Sequence, residues 1–158
     1  TAFGKLAGEN AYKHAVYASN KPTDNTQQQK DAQAIEALFS QPDPLNFYPH
    51  RERIGKLFYE KVGIVRENEQ LDEALNEVIS MQVSQEKMGI ADKNRANNQN
   101  LIEFLEFQNA LLLAPTIISS AIARDESRGA HYKVGFEREN EAFQKHIVLQ
   151  WKKEEICT

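Results

Sequence analysis

Cysteine is almost missing: Cys157 is the only one in 158 residues. A single thiol supports neither an internal disulfide framework nor a Cys-based metal site, so the default reading is a reducing, cytoplasmic setting. Seven Gly and five Pro are few for a many-turned β-sandwich. No uncharged apolar run reaches ~18 residues, so no membrane insertion is expected. No signal-peptide pattern is visible either. Basic charge is not in excess: 19 Lys plus Arg stand against 23 Asp plus Glu, a net charge of −4. That balance argues against a dedicated nucleic-acid binder. Gly-rich phosphate loops, H-E-x-x-H spacing and G-x-S-x-G elbows are lacking, which removes the commonest nucleotide, zinc-hydrolase and serine-hydrolase readings.

What is present is ordinary globular material. Hydrophobic residues make up 41% and charged residues 27%, which excludes collagen-like and wholly disordered chains. The length suits about one domain, with roughly 70% of the unfolded surface buried.

Periodicity predicts an all-α fold. Phe3, Leu6, Ala7, Ala11, His14 and Ala15 recur at helical spacing, so residues 1–17 read as a helix that starts in mid-pattern. Gly4 and Gly8 sit one turn apart and suit close packing against something the chain does not supply, which suggests a truncated piece. Residues 18–45 read as a linker: a polar break around Pro22, a short helix from Asp31 to Phe39, and an extended stretch set by Pro42 and Pro44. Residues 46–127 read as an up-down-up three-helix bundle of the spectrin-like kind. Its first helix runs from Arg51 to Val62, with Gly63 as a left-handed stop. The second begins at an Asn68 cap and carries Leu71, Leu75, Val78, Met81 and Met88. The third runs from Asn100 to Arg124, with Phe104, Phe107, Leu111, Ala114, Ile118 and Ala121 on its inner face. Leu101, Leu105 and Leu112 widen that face. Pro115 interrupts it, freeing the carbonyl of Leu111 and bending the helix. Residues 128–158 read as a polar turn and an extended tail, with a strand pattern at His146–Trp151.

Two clusters have groups suited to chemistry. Arg124–Asp125–Glu126–Ser127–Arg128–Gly129–Ala130–His131, followed by Tyr132 and Lys133, offers an acid, a base and an anion clamp. The same residues also suit a helix end whose charges pair with a neighbouring face. Tyr48, His50, Arg51 and Arg53 precede or open a helix and suit either an anion or plain solvation. His14 and His146 stand alone and read as structural; Met81 and Met88 read as core.

The stretch A-R-D-E-S-R-G-A-H-Y-K at 123–133 resembles the C-terminal region of the flavoprotein subunits of succinate dehydrogenase and fumarate reductase. L-aspartate oxidases carry a similar R-x-E-S-R-G signature. V-G-I-V-R at 62–66, Leu71 and Ala74–Leu75, the helix around Leu101–Asn109, the acidic run at 137–141 and Lys145–His146 are similar to the same region in the same order. F-G-K-L-A-G at 3–8 is similar to the helix closing the family's FAD-binding domain. Departures are Pro115, the Gln-rich 26–29 and Val134–Gly135–Phe136. Ala130 before His131 favours the dicarboxylate enzymes over aspartate oxidase.

The resemblance implies a parent several times this length that binds FAD and interconverts succinate and fumarate. It implies an iron–sulfur subunit as partner, and a position peripheral to the inner membrane through other subunits. None of the family's flavin-binding, catalytic or dicarboxylate-binding residues maps onto this chain. The expected role is therefore a non-catalytic C-terminal domain, with no cofactor or metal of its own. Glu126, Arg128 and His131 are its candidate contacts with the FAD-binding domain. A freestanding helical interaction module, using the Ile147–Trp151 tail to capture a partner, is the reading from a different class.

Overall fold

The computed structural model describes residues 2–18, 24–152 and 155–157. They are mainly helical, with strands of two or three residues. The chain divides into two compact units, residues 1–36 and 37–158. Residues 19–23, including the helix-ending Pro22 expected from sequence, lie outside the described residues.

In the first unit, α1 spans Ala2–Tyr17. Its described side chains are exposed, and a Cβ at Gly4 or Gly8 would meet nothing within 4 Å. Helix α2, Thr26–Ser40, belongs to this unit as far as Glu36 and starts five residues before the predicted Asp31. Sequence reading made Thr26–Gln29 a loop because it has no apolar anchor. Polar capping replaces the anchor: Asp24 Oδ1 accepts the Thr26 N–H at 2.9 Å, and Gln27 donates to Asp31 one turn on at 2.8 Å.

The second unit is built on α3 (Tyr48–Leu57), α4 (Asn68–Ser84) and α5 (Gln99–Ala123). Helices α4 and α5 form the main pair, and α3 with the turn after it packs on α4. The predicted α5 stripe is buried throughout, as are Ile54, Leu57, Leu71, Val78, Met81 and Met88. Phe47, Val62, Ala74 and Ile90 join them from outside the predicted stripes. Phe47 stacks on Tyr48 and lies edge-on to Phe104, with centroids 5.1 Å apart. Leu112 departs from expectation: it is 53% exposed and lies on the outer side of α5.

Four helix ends differ from the sequence reading. Helix α3 begins at Tyr48, not Arg51, because Pro49 sits in its first turn, where a missing N–H costs nothing. Its far end widens into a π-helical turn at Phe58–Val62. Gly63 has φ −56° and is no left-handed stop; a Cβ there would lie 3.0 Å from the Tyr59 carbonyl oxygen. Glu67, not Asn68, occupies the N-cap position of α4, without a side-chain capping bond, and Asn68 is its first helical residue. Helix α5 begins at Gln99, one residue earlier than predicted, and Asn98 caps it, accepting the Leu101 N–H at 2.7 Å.

Short strands fasten the loops. β1 (Leu45–Asn46) pairs in parallel with β3 (Met88–Gly89), so Met88 ends in a strand rather than in α4. Gly89 is required there: a Cβ would fall 2.9 Å from the Pro44 side chain. β2 (Val65–Arg66) pairs in parallel with β4 (Tyr132–Lys133). β5 (Gln150–Lys152) and β6 (Glu155–Cys157) form an antiparallel pair, so the predicted strand at His146–Trp151 starts later, at Gln150.

The carbonyl of Leu111, freed by Pro115, is claimed by α4: Gln82 Nε2 donates to it at 2.8 Å. Gln82→Leu should therefore cost about 1–2 kcal/mol by leaving that carbonyl unpaired. The cost should shrink in a Pro115→Ala background, where residue 115 regains an N–H. Urea denaturation of the double-mutant cycle checks this, and an equal cost in both backgrounds would contradict it.

Helix α5 is long and apolar enough to cross a bilayer, although it holds no uncharged run of 18 residues. A third of its apolar stretch is buried within the chain, along the stripe that packs on α4. A core helix with one apolar side still uncovered has this signature.

Candidate functional site

Helix α5 ends at Ala123 and the chain turns sharply through the 124–133 motif. Each residue of E-S-R-G-A-H-Y-K has a definable place there. Arg128 and His131 exchange both backbone hydrogen bonds, at 2.8 and 3.0 Å, around Gly129–Ala130. Gly129 has φ +58° while Ala130 does not go positive, the sign pattern of a type II′ hairpin turn. Ser127 Oγ accepts the Lys133 N–H at 2.9 Å and donates to the Phe136 carbonyl at 2.8 Å, closing the turn at its base.

Glu126 is fully buried, an expensive place for a carboxylate unless it is matched. Arg128 holds it with a two-point fork at 3.1 and 3.0 Å. Arg124 Nη1 bonds the first carboxylate oxygen, and the Asn140 N–H reaches the second at 2.9 Å. The Arg128 hydrogen bonds lead, with the Asn140 amide and Arg124 behind them, in lowering the Glu126 pKa to about 2 against the opposing cost of burial. Arg124 also donates to the carbonyls of Phe143 and Lys145 at 2.9 and 2.7 Å, so the segment after the turn is sewn to the helix end.

Lys133 is the second buried charge. Its ammonium meets the Ala121 and Ile122 carbonyls at 3.3 and 2.6 Å and Asp125 Oδ1 at 2.7 Å. A cation is thereby placed on the negative end of α5, where terminal carbonyls lack intrahelical partners. His131 is the third member. Arg66 Nη1 bonds His131 Nδ1, and a guanidinium can only donate, so Nδ1 accepts. The proton then sits on Nε2, which donates to the Arg124 carbonyl at 3.1 Å. Burial, reinforced by the Arg66, Lys133 and Arg124 charges, pushes the imidazole below its ordinary pKa and keeps it neutral.

Of the three candidate interface residues, Glu126 and His131 lie inside the unit and Arg128 is half-buried. They form one network with Arg124, Lys133 and Arg66. Arg66 and Asn140 have no individual signal in the sequence beyond membership of V-G-I-V-R and of the acidic run. The second cluster disperses into ion pairs across helices: Tyr48 Oη donates to Glu103 at 2.6 Å, Arg51 reaches Glu103 and Glu106, and Arg53 pairs with Glu77. No group of three or more His, Cys, Asp or Glu suited to a metal occurs among the described residues.

Residues 51–157 match the family model described as fumarate reductase flavoprotein C-term. The chain belongs to that family. It is 30% identical over 151 residues to the fumarate reductase flavoprotein subunit of Escherichia coli, covering 92% of this chain and 25% of the relative. The corresponding Haemophilus influenzae subunit is 28% identical over 148 residues, again 92% of this chain and 25% of the relative. A solved E. coli quinol fumarate reductase flavoprotein, a point variant, superposes with a TM-score of 0.78 at 28% identity, over 90% of this chain and 25% of that one. The Mycobacterium smegmatis Sdh1 complex contains the same fold at 22% identity, with a TM-score of 0.76 over 86% of this chain and 23% of that one. The chain thus spans about a quarter of the length of these relatives. Within this C-terminal family unit, the E-S-R-G-A-H-Y-K turn is a structural knot tying α5 to β2 and to residues 134–145.

Proposed function

We propose that this chain serves as the non-catalytic C-terminal domain of a flavoprotein subunit whose whole interconverts succinate and fumarate using FAD. The observation that carries the reading is the family match over 51–157 together with the superposition on the fumarate reductase flavoprotein. The charged groups agree with a structural role. Arg124, Arg128 and Lys133 are committed to internal carboxylates and carbonyls, so they do not fit a pyrophosphate cradle. Flavin binding and hydride transfer then belong to the rest of the subunit, and this unit is inert by itself.

Its partner of first rank is the FAD-binding domain of the same subunit. Outer apolar residues support this: Ile79 and Val83 on α4, and Leu113 and Ile117 on α5, are each spaced one turn apart and exposed, Val83 at 74%. Glu126 and His131 act from inside, fixing a hairpin whose exposed Gly129–Ala130 tip and Tyr132 meet that domain, with the outer edge of Arg128 beside them. An iron–sulfur subunit would complete the electron path, leaving the flavoprotein peripheral to the membrane. Multi-subunit neighbours such as the M. smegmatis complex support such an assembly.

Arg128→Lys in the intact flavoprotein tests the role. Lysine cannot reproduce the two-point fork on Glu126. The variant should melt a few degrees lower and shed flavin faster on gel filtration. Unchanged melting and full flavin content would remove this role from Arg128.

A further inference from the structure

Every cation in the knot except one is matched by an acid. Arg124 and Arg128 share Glu126, Arg128 also reaches Glu139 at 3.0 Å, and Lys133 takes Asp125. Arg66 is half-buried, yet no carboxylate among the described residues lies within ion-pair distance of it. Its guanidinium is nonetheless held in a set orientation. Nε donates to the Val62 carbonyl at 3.0 Å, an acceptor presented by the π-helical turn, and Nη1 donates to His131. The strand pairing of Val65–Arg66 with Tyr132–Lys133 fixes the backbone on either side. These bonds take one donor from each edge of the guanidinium and leave Nη2, which both edges share, without a hydrogen-bond partner among the described residues. Arg66 lines an open pocket with Ile117, Ser120, Ala121, His131, Ile147 and Arg124, whose own guanidinium is already paired with Glu126.

A guanidinium held in a set orientation, without a counter-charge and with a solvent-reachable Nη2, is well disposed towards an incoming anion. The excess is a single positive charge. Carbonyl oxygens of Val62 and Arg124 and the walls of Ile117, Ala121 and Ile147 surround it, which disfavours a dianionic phosphate and suits one planar carboxylate. We propose that Arg66 is the anchor of a carboxylate-binding site in this pocket, filled either by an Asp or Glu side chain of the surrounding flavoprotein or by a free carboxylic acid. The site is read from this chain's own residues and does not depend on the function proposed above.

The test uses the 158-residue chain labelled with nitrogen-15, titrated with sodium acetate against sodium chloride at matched ionic strength. The Arg66 side-chain Nε–H and the His131 ring resonances should shift saturably with acetate and not with chloride. Arg66→Gln should raise the half-saturation concentration about tenfold or more. Arg66→Lys, which keeps the charge but lacks the fork, should weaken it to an intermediate degree. Circular dichroism melts show which variants remain folded, and the wild-type titration stands without them. The same titration in an intact flavoprotein carrying this domain separates the sources. A response lost there shows a protein carboxylate already seated on Arg66; a response retained shows a site open to free acid. Acetate shifts no larger than those of chloride in the wild-type chain would overturn the proposal.

Discussion

Glu126→Gln should lower the melting temperature of this chain by about 10 °C, because it leaves Arg124 and Arg128 facing a neutral amide in a buried site. Glutamine keeps the shape of the side chain, so the loss reports charge rather than packing. It also places an NH₂ group where one carboxylate oxygen accepted, opposite either the Arg128 fork or the Asn140 amide. A variant melting within a degree or two of wild type would mean that the network adds little to the fold.

The same carboxylate sets an acid dependence whose sign is fixed. Folded Glu126 keeps its charge down to about 2, whereas an unperturbed glutamate protonates near 4.5. Between those values the unfolded chain binds more protons, so stability falls as pH drops through that window. His131 acts in the same direction at higher pH. Its folded pKa lies below the ordinary 6.5, so its contribution is present above that value and declines as the solution becomes more acidic. The stability gap between wild type and Glu126→Gln should accordingly be constant from neutral pH to about 5 and narrow towards pH 2. Chemical denaturation at stepped pH measures it; a gap that does not narrow would contradict the assignment.

Lys133→Met should cost about 3 kcal/mol, the second large effect. Methionine fills the buried stem but strips the cation from the Ala121 and Ile122 carbonyls and from Asp125. Those carbonyls end α5, so amide exchange across its last turn should accelerate more than elsewhere. Asp125→Asn is the matching control. Asp125 is half-exposed, so its charge can be solvated and its loss should cost far less than loss of the lysine. Equal effects of the two substitutions would show that the ion pair, rather than the helix end, is what Lys133 serves.

The helices and their inner faces were legible because α4 and α5 repeat apolar residues every three or four positions over many turns. Pro115 was legible too: its missing N–H foretold an orphan carbonyl at Leu111, although nothing local pointed to Gln82 as the donor. Ends were less readable where polar side chains or backbone geometry substitute for hydrophobic pattern. Asp24 starts α2 without an apolar residue in its first turn, and the π-helical turn at Phe58–Val62 ends α3 without a left-handed glycine. Parallel pairs such as Val65–Arg66 with Tyr132–Lys133 join residues far apart in sequence and leave no periodic trace.

The motif at 124–133 stood out by its density of charge, and its resemblance to the flavoprotein family named it. Spacing alone left open whether those charges face a substrate, a neighbour or each other. Geometry answers for Glu126 and Lys133, whose burial turns them inward onto arginines and helix carbonyls. Arg66 escaped notice because what distinguishes it is the acid that it lacks, which only a three-dimensional neighbourhood can show.

The most direct test of the structural role is turnover per bound flavin in an intact flavoprotein carrying this domain with Glu126→Gln or Arg128→Lys. The domain's role as a stabiliser predicts that flavin content and melting temperature fall together while fumarate reduction per remaining flavin stays at the wild-type rate. A fully flavinated, normally stable variant that has lost its turnover would contradict it and place these residues in the chemistry.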